Sequence, residues 1–263
     1  MPVRSDSAKP QAYGKTFAGV YNKHWAYFSE SLASQLLSFF SRAPRMNGAP
    51  KELLDVCCGT GQLAGRFLAQ GYRVVGIDLS PHMLEYAAAN NRRAVEQGRA
   101  RFQTGNAASF TLGETVSFAV SVFDSLNHLP DRKALKSCFA AVWGALRSPG
   151  LFVFDLNTPA GLARWNGIMV QDGEAFTFIN RGIYTPGAAR AVTSITGFAR
   201  NMDGFYTRFS ERIYNTVFPA DEVLALLQAA GFRNCYAAAL RDLSAAVKEP
   251  DSLERAFFVA HRP

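Results

Sequence analysis

The sequence predicts an α/β protein built on a doubly wound, mostly parallel sheet, and three observations carry that prediction. From Leu53 onward, short apolar runs alternate with segments of helical period. The first apolar run ends in a glycine-rich turn that opens a helix. After Thr158 the rhythm breaks, and polar and apolar residues alternate between turn signals.

Taken in order, residues 16–40 show apolar side chains at helical spacing, with Phe17, Val20, Tyr21, Phe28, Leu32, Leu36, Leu37 and Phe40 on the stripe. A loop rich in Pro, Gly and Asn at 44–50 ends this region. Strands are then expected at 53–56, 73–77, 101–103, 116–122 and 151–155, with helices at 62–70, 81–94 and 132–146 between them. Ser80 is placed to cap the second of these helices, with Pro81 at its first position. Alternation of this kind means βαβ units and a parallel sheet covered on both faces. Between 175 and 214, turn residues at Thr185-Pro-Gly and Asn201-Met-Asp-Gly204 separate three or four expected antiparallel strands. A helix at 221–230, closed by Gly231, follows. Strands at 234–240 and 256–261 are read as a hairpin that finishes a seven-stranded sheet with an antiparallel last strand.

Length and composition set bounds. With 263 residues and 48% hydrophobic, the chain suits one α/β domain with an insertion. No run approaches the roughly 18 apolar residues of a membrane span. Residues 1–11 lack the apolar core of a signal peptide, so the expected address is cytoplasmic, with no membrane partner. Cys57, Cys58, Cys138 and Cys235 make no CxxC or zinc spacing, so they are read as reduced thiols with no metal site. The net charge of +7 raises the question of nucleic acid. The basic residues are scattered, however, and the one short cluster, Arg92, Arg93, Arg99 and Arg101, reads as a solvated face.

The chemistry concentrates in Leu53-Leu54-Asp55-Val56-Cys57-Cys58-Gly59-Thr60-Gly61-Gln62-Leu63. Glycine there lets a ligand approach the backbone, and the free N–H groups of the helix start face it. The spacing Gly59-x-Gly61-x-x-Ala64 also fits a dinucleotide fingerprint, so an NAD-dependent oxidoreductase is one alternative. Against it, Asp55 before the turn attracts the ammonium of an amino acid and repels a pyrophosphate. Asp78, in Gly76-Ile77-Asp78-Leu79-Ser80, is suited to ribose hydroxyls, and Asn106, in Gly105-Asn106-Ala107, to an adenine amino group. Three ligand parts thus map to three successive strand ends.

These motifs resemble those of the class I S-adenosylmethionine-dependent methyltransferases, and along nearly the whole chain the small-molecule branch with glycine/sarcosine and antibiotic amino-sugar N-methyltransferases. Asp55 to Gly61 is similar to the family's glycine-rich motif, Gly76-Ile77-Asp78 to its ribose motif, and Gly105-Asn106 to its Gly-Asp adenine motif. The chain departs in two places: Cys57 replaces the usual first glycine, and Asn106 the usual aspartate. The resemblance implies a Rossmann-like domain at 51–160 and 216–263, an N-terminal helical lid at 13–50 behind a disordered tail at 1–12, and an inserted β segment at 161–215 covering the substrate. It implies S-adenosyl-L-methionine as cofactor, S-adenosyl-L-homocysteine as product, and a small-molecule acceptor in specialised-metabolite biosynthesis, methylated on nitrogen rather than oxygen, by a monomer or homodimer.

The implied cofactor residues are Tyr13, Tyr21, Asp55, Cys57, Gly59, Gly61, Asp78, Leu79, Met83, Asn106, Ala107 and Phe123. Aromatic faces at Tyr13 and Tyr21 suit a sulfonium cation. The implied substrate residues are Trp25, Asp124, Asn127, Tyr206, Arg208 and Arg241, with Phe176 and Phe178 as pocket lining. His128 is the expected orienting group or base, with Tyr13 beside it, because imidazole titrates near neutrality. The plainer readings are that Trp25 packs between helices and that His128 caps the helix after it. Three other functions compete: a related fold running a non-methylation reaction, a non-catalytic binding module, and a nucleic-acid methyltransferase. The last lacks its Asn/Asp-Pro-Pro-Tyr/Phe motif after the fourth strand, where Phe123-Asp124-Ser125-Leu126 stands instead.

Overall fold

The computed structural model describes residues 13–25, 27–43 and 46–263, together with every side chain among them except those of Phe28 and Glu30; the expected tail at 1–12 lies outside the described residues. Helices α1 (Lys15–His24) and α2 (Phe28–Arg42) come first. Then β1 (Glu52–Val56), α3 (Gln62–Ala69), β2 (Arg73–Asp78), α4 (Pro81–Asn90), α5 (Arg92–Glu96), β3 (Ala100–Thr104), β4 (Val116–Ser121), α6 (Arg132–Ala145) and β5 (Leu146–Asn157) follow. After α7 (Pro159–Ala163) come β6 (Gly167–Gln171), β7 (Phe176–Ile183), β8 (Arg190–Arg200) and β9 (Tyr206–Thr216). The chain closes with α8 (Ala220–Ala229), β10 (Arg233–Ala239), β11 (Asp242–Ala246) and β12 (Arg255–Arg262).

The main sheet runs β11-β10-β12-β5-β4-β1-β2-β3. β1 pairs in parallel with both β2 and β4, so strand order reverses beside β1 and a crevice opens beyond its carboxyl end. β12 is antiparallel to β5 and β10, as the expected antiparallel last strand requires. The sheet has eight strands rather than seven, because 242–246 folds back along β10 before the chain reaches β12. Period-2 alternation divides the core: Leu54 and Val56 face α6 and α8 through Phe139, Val142 and Leu227, while Leu53 faces α2 and α3 through Leu36, Phe40 and Phe67. A side chain as large as Phe67, fully buried there, contributes about 1.5–3 kcal/mol.

Two helical expectations divide. Residues 16–40 form two helices broken around Trp25, and 81–94 breaks at Asn91. The Asn91 side chain donates to Ala87 O and to Gly61 O, both at 2.9 Å, competing with continued helix and binding the glycine turn instead. Ser80 caps α4 through Met83 N, with Pro81 in its first turn. Gly231, at φ +106°, ends the α8 region while Phe232 N donates to Leu227 O.

β6 to β9 form a separate antiparallel sheet in sequential order. Its buried face, with Phe178, Ile195, Phe209 and Ile213, packs on Phe17 and Val20 of α1. Helix α1 is tied to both sheets. Gly14 N donates to Glu211 Oε1 on β9 at 3.1 Å, and Ser80 Oγ donates to Tyr13 O at 2.7 Å. Asn22 Oδ1 accepts from Gln62 and Asn90 of α3 and α4, each at 2.8 Å.

Candidate active site

The glycine turn folds as it does because each glycine meets a different constraint. Gly61, at φ +75°, lies where an added Cβ would sit 2.9 Å from Ala87 Cα, so α4 can press against it only in the absence of a side chain. Gly59, at φ +53°, would meet only the Tyr21 ring, at 3.8 Å. Cys57 also has positive φ, at 60°, which explains why glycine is the usual residue there and costs roughly 1–2 kcal/mol for an L side chain. Asp78 holds the turn: its Oδ2 accepts from Gly59 N and its Oδ1 from Ser80 N, both at 2.9 Å. Burial nevertheless raises its pKa, with these backbone donors opposing the rise.

A cavity of about 170 Å³ opens at these strand ends. Cys57, Gly59, Asp78, Leu79 and Met83 line one side; Gly105, Asn106, Ala107 and Ala108 line another. Asn106 Oδ1 accepts from Ala108 N at 2.9 Å, so its amide nitrogen is the group left to a ligand. An amide nitrogen can donate at this wall, where an aspartate could only accept. Leu129, Pro130 and Ala134, which the motifs do not mark, complete the wall.

Asp55 is 2% exposed, and its Oδ2 has no hydrogen-bond partner among the described residues. Burial, and then the charge of Asp78, push its pKa up to about 8. An orphaned carboxylate beside a glycine turn fits an incoming ammonium group, and Asp55 lines a small cleft with Tyr21, Gly59 and Thr60.

A second cavity, of about 410 Å³, lies between α1, the 123–128 turn and the inner face of β6–β9. Tyr13, Tyr21, Phe123 and His128 line both this space and the smaller one, forming the junction between them. Tyr13 and Tyr21 stack with ring centres 6.0 Å apart, and His128 meets the Tyr13 ring edge-on at 6.2 Å. Burial lowers the His128 pKa to about 4, so the imidazole is neutral at physiological pH. Sequence reasoning, which assigned it a near-neutral pKa, did not include this desolvation. Nor does His128 cap the next helix, since the Asp131 side chain accepts from Ala134 N at 2.8 Å and does so instead.

Asp124 belongs to a cluster that sequence reasoning missed. Arg255 on β12 reaches Asp124 Oδ1 at 2.7 Å and Asp155 Oδ2 at 3.1 Å. Asp155, at the end of β5, also accepts from the backbone N–H groups of Asp124 at 2.6 Å and Phe123 at 3.1 Å, fixing two consecutive residues of positive φ. Burial raises the pKa of Asp124 and Asp155, while Arg255 opposes the rise. The available signal was an aspartate ending the fifth strand and an arginine opening the last, on neighbouring antiparallel strands.

Of the other expected residues, Trp25 lines the large cavity, and it also packs on Phe17 and Phe178. Gly61 supports the turn without lining either space. Asn127 is buried and saturated, donating to Asn157 O and Thr216 O and accepting from Asn157 N. Tyr206 and Arg208 are exposed and lie outside both cavities. The register puts Phe209, Glu211 and Ile213 inward, so the even-numbered positions of β9 face the other way. Arg241 lines a separate surface groove against α2, away from the junction. Phe176 and Phe178 pack on His24 rather than lining the cavity; Asn180, Thr193, Ile195 and Asn215 line it instead.

Known proteins resemble this chain in sequence and fold. A family profile described as "Methyltransferase domain" matches residues 53–150. A protein of Geobacillus sp. (strain WCH70), inferred to be a methyltransferase, is 30% identical over 219 residues, covering 81% of this chain and 85% of its own length. The chain belongs to the S-adenosylmethionine-dependent methyltransferases. Among solved structures, the sugar N-methyltransferase of Streptoalloteichus sp. is 25% identical with a TM-score of 0.71, covering 100% of this chain and 98% of its own. An S-adenosylmethionine-dependent methyltransferase from Clostridium acetobutylicum shares the fold, with a TM-score of 0.75 at 20% identity over 94% of this chain and 97% of its own.

Proposed function

We propose that this chain transfers the methyl group of S-adenosylmethionine to an amine of a small-molecule acceptor, in the cytoplasm and in specialised-metabolite biosynthesis. The observation that carries the reading is the junction: Tyr13, Tyr21, Phe123 and His128 border both cavities. The smaller space suits the nucleoside, and the larger suits an acceptor of modest size. Asp55 receives the cofactor's ammonium group, Asp78 its ribose hydroxyls, and Asn106 its adenine.

S-adenosylmethionine supplies a methyl group already activated on a sulfonium, so the chain's own task is alignment and exclusion of water. The Tyr13 and Tyr21 rings offer electron-rich faces to that cation. Both phenols stay protonated, because burial raises their pKa values. His128, neutral in its buried setting, accepts a hydrogen bond from the acceptor and turns its lone pair toward the junction. Nitrogen is favoured over oxygen by charge: Asp124 and Asp155 share one guanidinium, leaving an excess of carboxylate beside the cavity. The amine-methylating relative in Streptoalloteichus supports the same choice.

The test is methyl transfer from labelled S-adenosylmethionine to matched amine and alcohol acceptors, with S-adenosylhomocysteine release as the readout. Methylation of amines alone is the expected result. Methylation of alcohols alone overturns the choice of nitrogen, and failure to bind S-adenosylhomocysteine overturns the site.

A further inference from the structure

We propose that Asp155 is a positioning residue for methyl transfer: its two carboxylate oxygens hold Phe123 and Asp124 in the left-handed conformation that sets the Phe123 ring and the His128 imidazole at the junction of the two cavities. The proposal rests on the reading above that transfer takes place at that junction.

Neither residue adopts this backbone by preference. Phe123 has φ 68° and Asp124 φ 49°. Left-handed backbone is uncommon for a residue with a side chain and a marked outlier for a bulky aromatic one, so it persists only where the surroundings hold it. Asp155 supplies that hold. Its Oδ1 accepts from Asp124 N at 2.6 Å and its Oδ2 from Phe123 N at 3.1 Å, so each amide has its own oxygen. A carboxylate fits this pair, because the carboxamide of asparagine has one acceptor oxygen and would turn its NH2 toward the other amide. Arg255 supports the arrangement, reaching Asp155 Oδ2 at 3.1 Å and Asp124 Oδ1 at 2.7 Å.

The held backbone aims two side chains of the junction. The Arg255 guanidinium lies 5.6 Å from the centre of the Phe123 ring, which meets Tyr21 edge-on at 6.3 Å. Asp124 opens a single 3₁₀ turn over Ser125–His128, with Asn127 N donating to Asp124 O at 2.9 Å. That turn ends on His128, so a rotation at 123 or 124 carries both the ring and the imidazole with it.

Asp155 itself is fully buried and lines neither cavity, so its effect on the reaction passes through these residues. A tie between β5 and the turn does not call for a buried charge. Asn127 already makes that tie with neutral groups, donating to Asn157 O at 3.2 Å and accepting from Asn157 N at 2.9 Å. Burying a carboxylate with its arginine is costly, and the two left-handed amides are the feature here that a neutral side chain cannot serve.

The test has two readouts on the full chain. Amide exchange followed by NMR should show Phe123 and Asp124 N–H protected by at least about a hundredfold in the unaltered protein, with the Asp124 protection lost in Asp155→Asn. Labelled methyl transfer to the amine found in the assay above, counted per S-adenosylhomocysteine-binding site, should show kcat for Asp155→Asn lower by at least about thirtyfold. That fall should exceed any rise in KM, with S-adenosylhomocysteine affinity unchanged. Phenyllactic acid in place of Phe123 keeps the ring and exchanges only its N–H for an ester oxygen, and should lower kcat by at least about fivefold. If Asp155→Asn does not fold, this second variant decides. Free exchange of either amide in the unaltered chain, a kcat close to the parent's in either variant, or a loss confined to KM overturns the proposal. An unaltered chain that methylates neither amines nor alcohols strikes the reading of the junction instead, and the exchange measurement still judges the hold on the two amides.

Discussion

The two cavities meet at the same four side chains, yet they are built in opposite ways. The smaller is made from the ends of parallel strands, with the glycine turn and the half-buried carboxylate of Asp78 at its wall and the buried Asp55 in a neighbouring cleft. The larger is made from the face of an antiparallel sheet, with neutral amides, a hydroxyl and aromatic rings, and the charges beside it are two carboxylates sharing one guanidinium. A fixed, charged ligand can be met by a short motif whose geometry the backbone sets. A variable acceptor is met by side chains on strands whose backbone bonds do not depend on them, so one substitution can alter specificity without disturbing the fold.

The largest expected effect lies in the charge cluster beside the larger cavity. Arg255→Leu leaves Asp124 and Asp155 buried without their cation, and should cost about 3–5 kcal/mol of stability in denaturant unfolding. A loss below about 1 kcal/mol would mean that the cluster is not the electrostatic tie described here.

Asp55→Asn should weaken S-adenosylhomocysteine binding by about 2–4 kcal/mol, or roughly 30- to 1000-fold, when titrated by calorimetry. The ligand-free protein should melt no lower than the parent, because one oxygen of the buried carboxyl it loses has no hydrogen-bond partner among the described residues. A lower melting point with unchanged affinity would make Asp55 a structural residue.

The two glycines separate packing from ligand approach. Gly61→Ala forces a Cβ against the α4 backbone and should destabilise the fold by about 2–3 kcal/mol. Gly59→Ala meets only a ring at van der Waals distance, so its stability cost should be about 1 kcal/mol, from positive φ alone. Unfolding curves of the two variants side by side decide the order.

The smallest effect is on the outer face of β9. Arg208→Ala should change stability by no more than about 0.5 kcal/mol and leave acceptor KM unaltered. A several-fold rise in KM would return Arg208 to the acceptor site.

The strand-end turns could be read from the sequence because their residues sit at fixed offsets: Asp55, Gly59, Gly61, Asp78 and Asn106 all follow from one βαβ rhythm. The acceptor half could not. Period 2 alone leaves the choice of face open by one residue, which is why Tyr206 and Arg208 were expected inside and Phe209 and Ile213 are found there. Asn180, Thr193 and Asn215 lie on three different strands, and only the pairing register brings them together. Burial is similarly invisible in a motif: the same His128 that sequence chemistry marks as a near-neutral base becomes a neutral acceptor once desolvated.

The central claim is that Asp55 receives the ammonium of the cofactor, and proton release tests it most directly. Burial raises this carboxyl's pKa to about 8, against 3.8 unperturbed, so at pH 7 it is mostly protonated before binding. Pairing with an ammonium requires the carboxylate, so binding at pH 7 expels a proton, and affinity climbs as pH rises toward 8. Calorimetry of S-adenosylhomocysteine binding at pH 7, in two buffers of different ionisation enthalpy, should show nearly one proton released, and none in Asp55→Asn. Absence of binding at millimolar ligand, or tight binding with no proton released in either protein, contradicts the account.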